Sequence, residues 1–61
     1  NMIKLNLFDY DDNSSHTFEF KSIEEVKETY SLTDEEVSEF LKGYKINPDH
    51  SDFTLHLIYK D

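Results

Sequence analysis

The sequence has no cysteine, tryptophan or arginine, and it has one glycine (Gly43) and one proline (Pro48). Without cysteine there are no disulfides, no thiolate zinc sites and no cysteine nucleophile. Small secreted domains commonly lean on disulfides, so their absence points to a cytoplasmic setting. Long apolar runs are missing too. The longest is Leu57-Ile58-Tyr59, against the roughly 18 residues a membrane-spanning helix requires. The opening residues Asn1, Met2, Ile3 and Lys4 lack the basic and apolar regions of a signal peptide. Asn1 ahead of Met2 reads as a vector-derived residue, leaving one small domain over 2–61.

Positive charge is scarce. Six lysines (Lys4, Lys21, Lys27, Lys42, Lys45 and Lys60) stand against 14 acids, for a net charge of -8. A nucleic-acid binder needs a basic patch, because displacing counterions from phosphates supplies much of its affinity. These lysines are scattered, so neither direct nucleic-acid binding nor docking on an anionic membrane is expected. Such a field steers a cationic partner, or a basic groove on another protein, toward the chain. It also keeps a small protein soluble.

What the chain does hold is periodicity. Apolar residues make up 36% of it, nine of them Phe or Tyr, and their spacing argues for a folded domain despite the charge. Met2 to Tyr10 alternates, with Ile3, Leu5 and Leu7 on one side and Lys4, Asn6 and Phe8 on the other, a half-buried strand. The polar run Asp11 to Ser15 favours a turn. His16 to Lys21 alternates again, with Phe18 and Phe20 on one face, so the two runs read as a hairpin.

Ser22 and Glu25 form a capping box ahead of Ile23, Val26 and Tyr30, which predicts a helix over 23–30. Thr33 and Glu36 form a second box, flanked by a Leu32–Val37 staple. Val37, Phe40, Leu41 and Tyr44 supply the apolar stripe of this second helix, and Gly43 its stop. Asn47 to Asp52 reads as a loop, and Phe53 to Lys60 as a third strand with Phe53, Leu55, Leu57 and Tyr59 inward.

The fold expected is α+β: ββααβ, a three-stranded sheet of order 2-1-3 covered on one face by a two-helix hairpin. The two antiparallel helices return the chain to the end of the sheet it left, so the third strand, lying beside the first, is expected to run parallel to it, and the sheet to be mixed. So small a core rarely supplies more than about 3–5 kcal/mol, and a homodimer or bound partner would supplement it.

The candidate sites are few. Asp9, Asp11 and Asn13 have the first spacings of an EF-hand loop, but Ser14 replaces its glycine and Phe20 its closing glutamate, so a polar hairpin turn is the better reading. His16, His50 and His56 could serve as bases or ligands, and Asp49-His50-Ser51-Asp52 holds triad residue types. Neighbours in sequence do not make a triad, however. A chain this short is poorly suited to enclosing a pocket of about 300 Å³ or more, so neither catalysis nor a metal or cofactor is expected.

Seven acids occupy the helices, with Glu24/Glu28 and Glu35/Glu39 each one turn apart, an arrangement that costs a few tenths of a kcal/mol per pair. Glu24, Glu28, Glu35, Glu36 and Glu39 could therefore face a basic groove, standing in for DNA phosphates. The uncovered sheet face would carry Phe8, Tyr10 and Ile58, a second candidate surface. Tyr10 should be exposed, whereas at least two of Tyr30, Tyr44 and Tyr59 should cap the core. Both outer strands leave edges open to pairing.

The expected function is that of a small acidic protein-binding module, an adaptor or inhibitor of a larger protein. A DNA-mimicking inhibitor of a nucleic-acid enzyme is the alternative, and a purely structural homodimer subunit the third reading.

Overall fold

The computed structural model describes residues 2–61, and the reading of Asn1 lies outside them. The strands β1 (Ile3–Asp9) and β2 (Ser14–Phe20) are followed by the helices α1 (Ile23–Tyr30) and α2 (Asp34–Leu41), and β3 (Phe53–Lys60) closes the chain. The expected ββααβ order and the sheet order β2-β1-β3 both hold. The direction of β3 does not. It pairs antiparallel to β1, with Asp9 opposite Phe53 and Ile3 opposite Lys60, so the whole sheet is antiparallel rather than mixed.

The reason lies in residues 42–52. Two helices of eight residues rise only about 12 Å each, and the chain after them keeps travelling. Gly43 adopts φ +96° and ends α2 in a Schellman turn, with Gly43 N–H donating to Phe40 O (3.0 Å) and Tyr44 N–H to Glu39 O (3.1 Å). Ile46 then exchanges both main-chain bonds with Leu55, at 3.0 and 2.8 Å. This bridge is antiparallel. The loop 47–52, which contains a short 3-10 turn at Pro48–His50, is thus a reversal that delivers β3 to the hairpin end of the sheet. There Tyr10 N–H donates to Asp52 O (2.8 Å). Asn47 Nδ2 ties the reversal together by donating to Ser51 O and Phe53 O, each at 2.7 Å.

The core is formed by Ile3, Leu5 and Leu55 from the sheet, Val26 and Phe40 from the helices, and Leu32 and Ile46 from the connections. Both helices therefore cover the same sheet face. Around this core pack Phe20, Tyr30, Val37 and Phe53, with the Tyr30 ring 5.9 Å from Phe20 and 5.7 Å from Phe53. The α2 capping box is complete: Glu36 N–H donates to Thr33 Oγ1 (3.1 Å) and Thr33 N–H to Glu36 Oε1 (2.9 Å). In α1 only half forms. Glu25 N–H donates to Ser22 Oγ, but the Glu25 carboxylate reaches one residue further back and accepts from Lys21 N–H (2.7 Å).

Tyr44 falls outside the expected stripe because α2 ends at Leu41, and its side chain is 60% exposed. A bulge sits where Lys4 and Leu5 of β1 face Tyr59 and Leu57 of β3, skipping Ile58. The extra residue flips the alternation beyond it. Tyr59, expected inward, instead shares the open face with Lys4, whose ammonium lies 5.9 Å from the ring centroid. At least two of Tyr30, Tyr44 and Tyr59 are expected to cap the core, and only Tyr30 does.

Candidate functional site

The seven helical acids sit opposite a single helical lysine, Lys27. Lys27 donates to Asp34 across the α1–α2 junction, and the bond and charge of its ammonium hold the Asp34 carboxyl below its ordinary value. Glu24 and Glu28 line a shallow depression with Lys27 and Leu32. Glu24, Glu28, Glu35 and Glu39 are exposed. Glu36 is not equivalent to them, because it is half-buried and its carboxylate is committed to the cap. Four of the five acids proposed for a basic groove are thus freely presented.

The other layer carries a different charge. The open sheet face presents Lys4, Asn6 and Phe8 from β1 with Tyr10 just beyond its end, Ser15, Thr17 and Glu19 from β2, and Thr54, His56, Ile58 and Tyr59 from β3. Lys45 leans over one end of it. Two lysines and a histidine here face one acid, Glu19. The net negative charge is therefore concentrated on the helical side, the turn and the loops.

The open face has two separate apolar spots. Phe8 and Tyr10 meet edge-on, with ring centroids 5.1 Å apart. They line a depression of about 380 Å³ with Asn6, Ser15, Lys45, Thr54 and His56. His56 Nε2–H donates to Gly43 O (3.1 Å), which fixes the proton on that nitrogen, since a carbonyl can only accept. Ile58 lies with Lys4, Thr17 and Glu19, at the level of Lys4 in β1. That is four residues, or about 13 Å, along the strand from Phe8. The sheet therefore does not bring Ile58 together with Phe8 and Tyr10. Tyr10 is 58% exposed and Ile58 50%.

Sequence reasoning missed the Tyr59 cluster on this face. The Tyr59 hydroxyl donates to Glu19 Oε2 at 2.9 Å, and this bond to a carboxylate, which strengthens the hold on the phenolic proton, raises the tyrosine above its ordinary value. Tyr30 is raised as well, by burial. No sequence signal marks the bulge that places Tyr59 there.

The remaining candidates are dispersed. His16 is on β2 opposite Leu7, on the helical side of the sheet, while His56 is opposite Asn6 on the open side. His50 is in the loop. Ser14 Oγ donates to Asp12 and lies 2.9 Å from His16 Nε2, so the histidine is the donor of that second bond. Asp9 Oδ1 accepts from Asp11 N–H (2.8 Å), turning its carboxylate to the hairpin backbone. Ser51 Oγ donates to Phe53 O. Among the described residues no group of three or more His, Asp or Glu side chains is arranged to hold a metal ion.

A further depression, about 610 Å³, opens between the α1–α2 junction and the 47–52 reversal. Leu7, Tyr30 and Phe53 form its floor and Thr33, Glu36 and Asp49 its rim. It exceeds the volume expected of so short a chain, but it is open to solvent rather than enclosed. Its one helical carboxylate, Glu36, is engaged by the cap.

None of the described helices is long and apolar enough to cross a membrane. No family model matches the chain, and no curated protein or solved structure matches it either.

Proposed function

We propose that the protein is a small acidic protein-binding module, an adaptor or inhibitor that engages a larger protein through the open face of its sheet. The observation that carries this reading is the bare sheet layer itself: Tyr10, Ile58 and Tyr59 stand exposed there beside a half-buried Phe8, while most of the acidic charge is gathered elsewhere. Aromatics are enriched at protein interfaces because a ring buries a large area at small entropic cost. Phe8 with Tyr10 is the anchor of this surface, and Ile58 with Tyr59 a second point of contact. The separation of the three histidines favours binding over catalysis.

A second reading is supported by the helical layer, where Glu24, Glu28, Glu35 and Glu39 project beside one paired lysine. There the chain would fill a basic groove as a DNA mimic. The two readings part in a single experiment, in which immobilised protein captures a partner from lysate and variants are compared. Phe8→Asp combined with Ile58→Asp should abolish capture while Glu35→Lys with Glu39→Lys leaves it within about twofold. The opposite pattern, with release at modest salt and displacement by DNA, would establish mimicry. A chain that captures nothing and self-associates through the same face would be a homodimer subunit.

A further inference from the structure

The two outer edges of the sheet are not alike. Leu55 gives both its N–H and its C=O to Ile46, so the outer edge of β3 is covered there, and the bulge at Lys4/Leu5 distorts its far end. Neither device protects β2. Its register with β1 is unbroken from Asp9–Ser14 to Ile3–Phe20, and among the described residues no bridge lies on its outer side. The segment Ser14–Phe20 contains no Pro or Lys, which commonly blunt an edge, and Glu19 is its one acid.

Alternation identifies the groups on offer. Because Leu55 bonds outward to Ile46, the main chain of Leu7 opposite it points toward β2, and His16 points back. The N–H and C=O groups of Ser15, Thr17 and Glu19 therefore face away from the sheet. Beside them Phe18 belongs to the helical side yet is 43% exposed. The surrounding charge is acidic: residues 9–28 hold seven acids and two lysines.

We propose that β2 is a docking edge, to which a partner protein adds an extended, basic segment as a fourth strand by pairing with the main chain of Ser15, Thr17 and Glu19. This inference rests on reading the chain as a protein-binding module. In such strand addition the backbone bonds provide affinity and the alternating side chains specificity. Apolar side chains of the added strand cover Phe18, and basic ones meet Glu19, the one acid of the open face, while the acidic charge around the edge steers the segment in. The same field disfavours a second copy at this edge, since two identical acidic edges would repel.

Thr17→Pro is the test. Its N–H points outward, so proline there removes no sheet bond and only blocks pairing. The probe is a short capped peptide alternating lysine and valine, with its glutamate–valine counterpart as control. Amide exchange and chemical shifts should show protection at Ser15, Thr17 and Glu19 with the lysine peptide and none with the glutamate peptide. Thr17→Pro should weaken binding about tenfold or more. The exchange pattern of the unmodified chain reads the edge directly, should the proline variant fail to fold.

Shifts confined to Phe8 and Tyr10, and indifferent to Thr17→Pro, would overturn the docking edge while leaving the binding module intact. A dimer dissolved by Thr17→Pro would overturn the basic partner in favour of a second copy. Absence of peptide binding anywhere would overturn the edge, and the variant series on partner capture would still decide the module separately.

Discussion

Ser31 and Gly43 end the two helices by the same left-handed route with different residues. Ser31 sits at φ 55°, ψ 48° as the cap immediately after α1, where a Cβ costs roughly 1 kcal/mol relative to glycine. Gly43 adopts φ +96° with open space where a Cβ would stand, so the penalty of a substitution there is backbone strain and not a clash. Ser31→Gly should accordingly raise the melting temperature by about 4–8 °C and Gly43→Ala lower it by a similar amount. Thermal denaturation checks both, and a stabilised Gly43→Ala would refute the assignment. The glycine stop was legible in the sequence because glycine is the residue such a turn prefers. The serine one was not, because nothing in Tyr30-Ser31-Leu32 distinguishes it from an ordinary connection.

The helices were the most legible elements. Capping boxes and apolar spacing are local, and the bounds of α1 and the full cap on α2 follow from residues within four positions of one another. The link between them is electrostatic: Lys27 to Asp34. A carboxyl whose value falls on folding adds stability above its unfolded value, ordinarily 3.8, and loses it as pH drops through the folded value. Asp34→Asn should therefore melt below the unmodified chain at neutral pH, and the gap should close in acid. Melting curves at several pH values test this, and a gap that persists in acid would assign the loss to packing. The strands were legible as segments but not in their facing. Tyr59 reads as inward by alternation alone, and the bulge opposite Lys4 and Leu5 reverses it.

At the scale of the whole molecule, charge is sorted by layer. The helical side, turn and loops carry nearly all the acids, and the open sheet face is close to neutral. Such one-sided charge destabilises the compact state through self-repulsion, most of all at low ionic strength. Raising salt to about 0.15 M shortens the screening length to about 8 Å, and the melting temperature should rise with it. A melting point indifferent to salt would mean that the acids are too far apart to matter. The candidate surfaces were visible in sequence as residue types, and Tyr10, Ile58 and the Glu24/Glu28 and Glu35/Glu39 pairs are indeed exposed. Their grouping was not, since it needs the register between strands distant in sequence. Phe8 meets Tyr10 because the two lie two residues apart at the end of β1, whereas Ile58 is set apart by where β3 lands.

The sequence by itself determined the elements, their order, the α2 capping box, the glycine stop and the charge, because each depends on composition or on neighbours a few residues away. Tertiary structure decided the direction of β3, the side Tyr59 takes and which sheet edge stays open. The first and the last follow from the path of residues 42–52, where Ile46 pairs with Leu55 and the chain reverses at Pro48, and the second from the bulge opposite Lys4 and Leu5. That path is fixed by main-chain bonds between partners nine residues apart, and no periodicity of side chains records it.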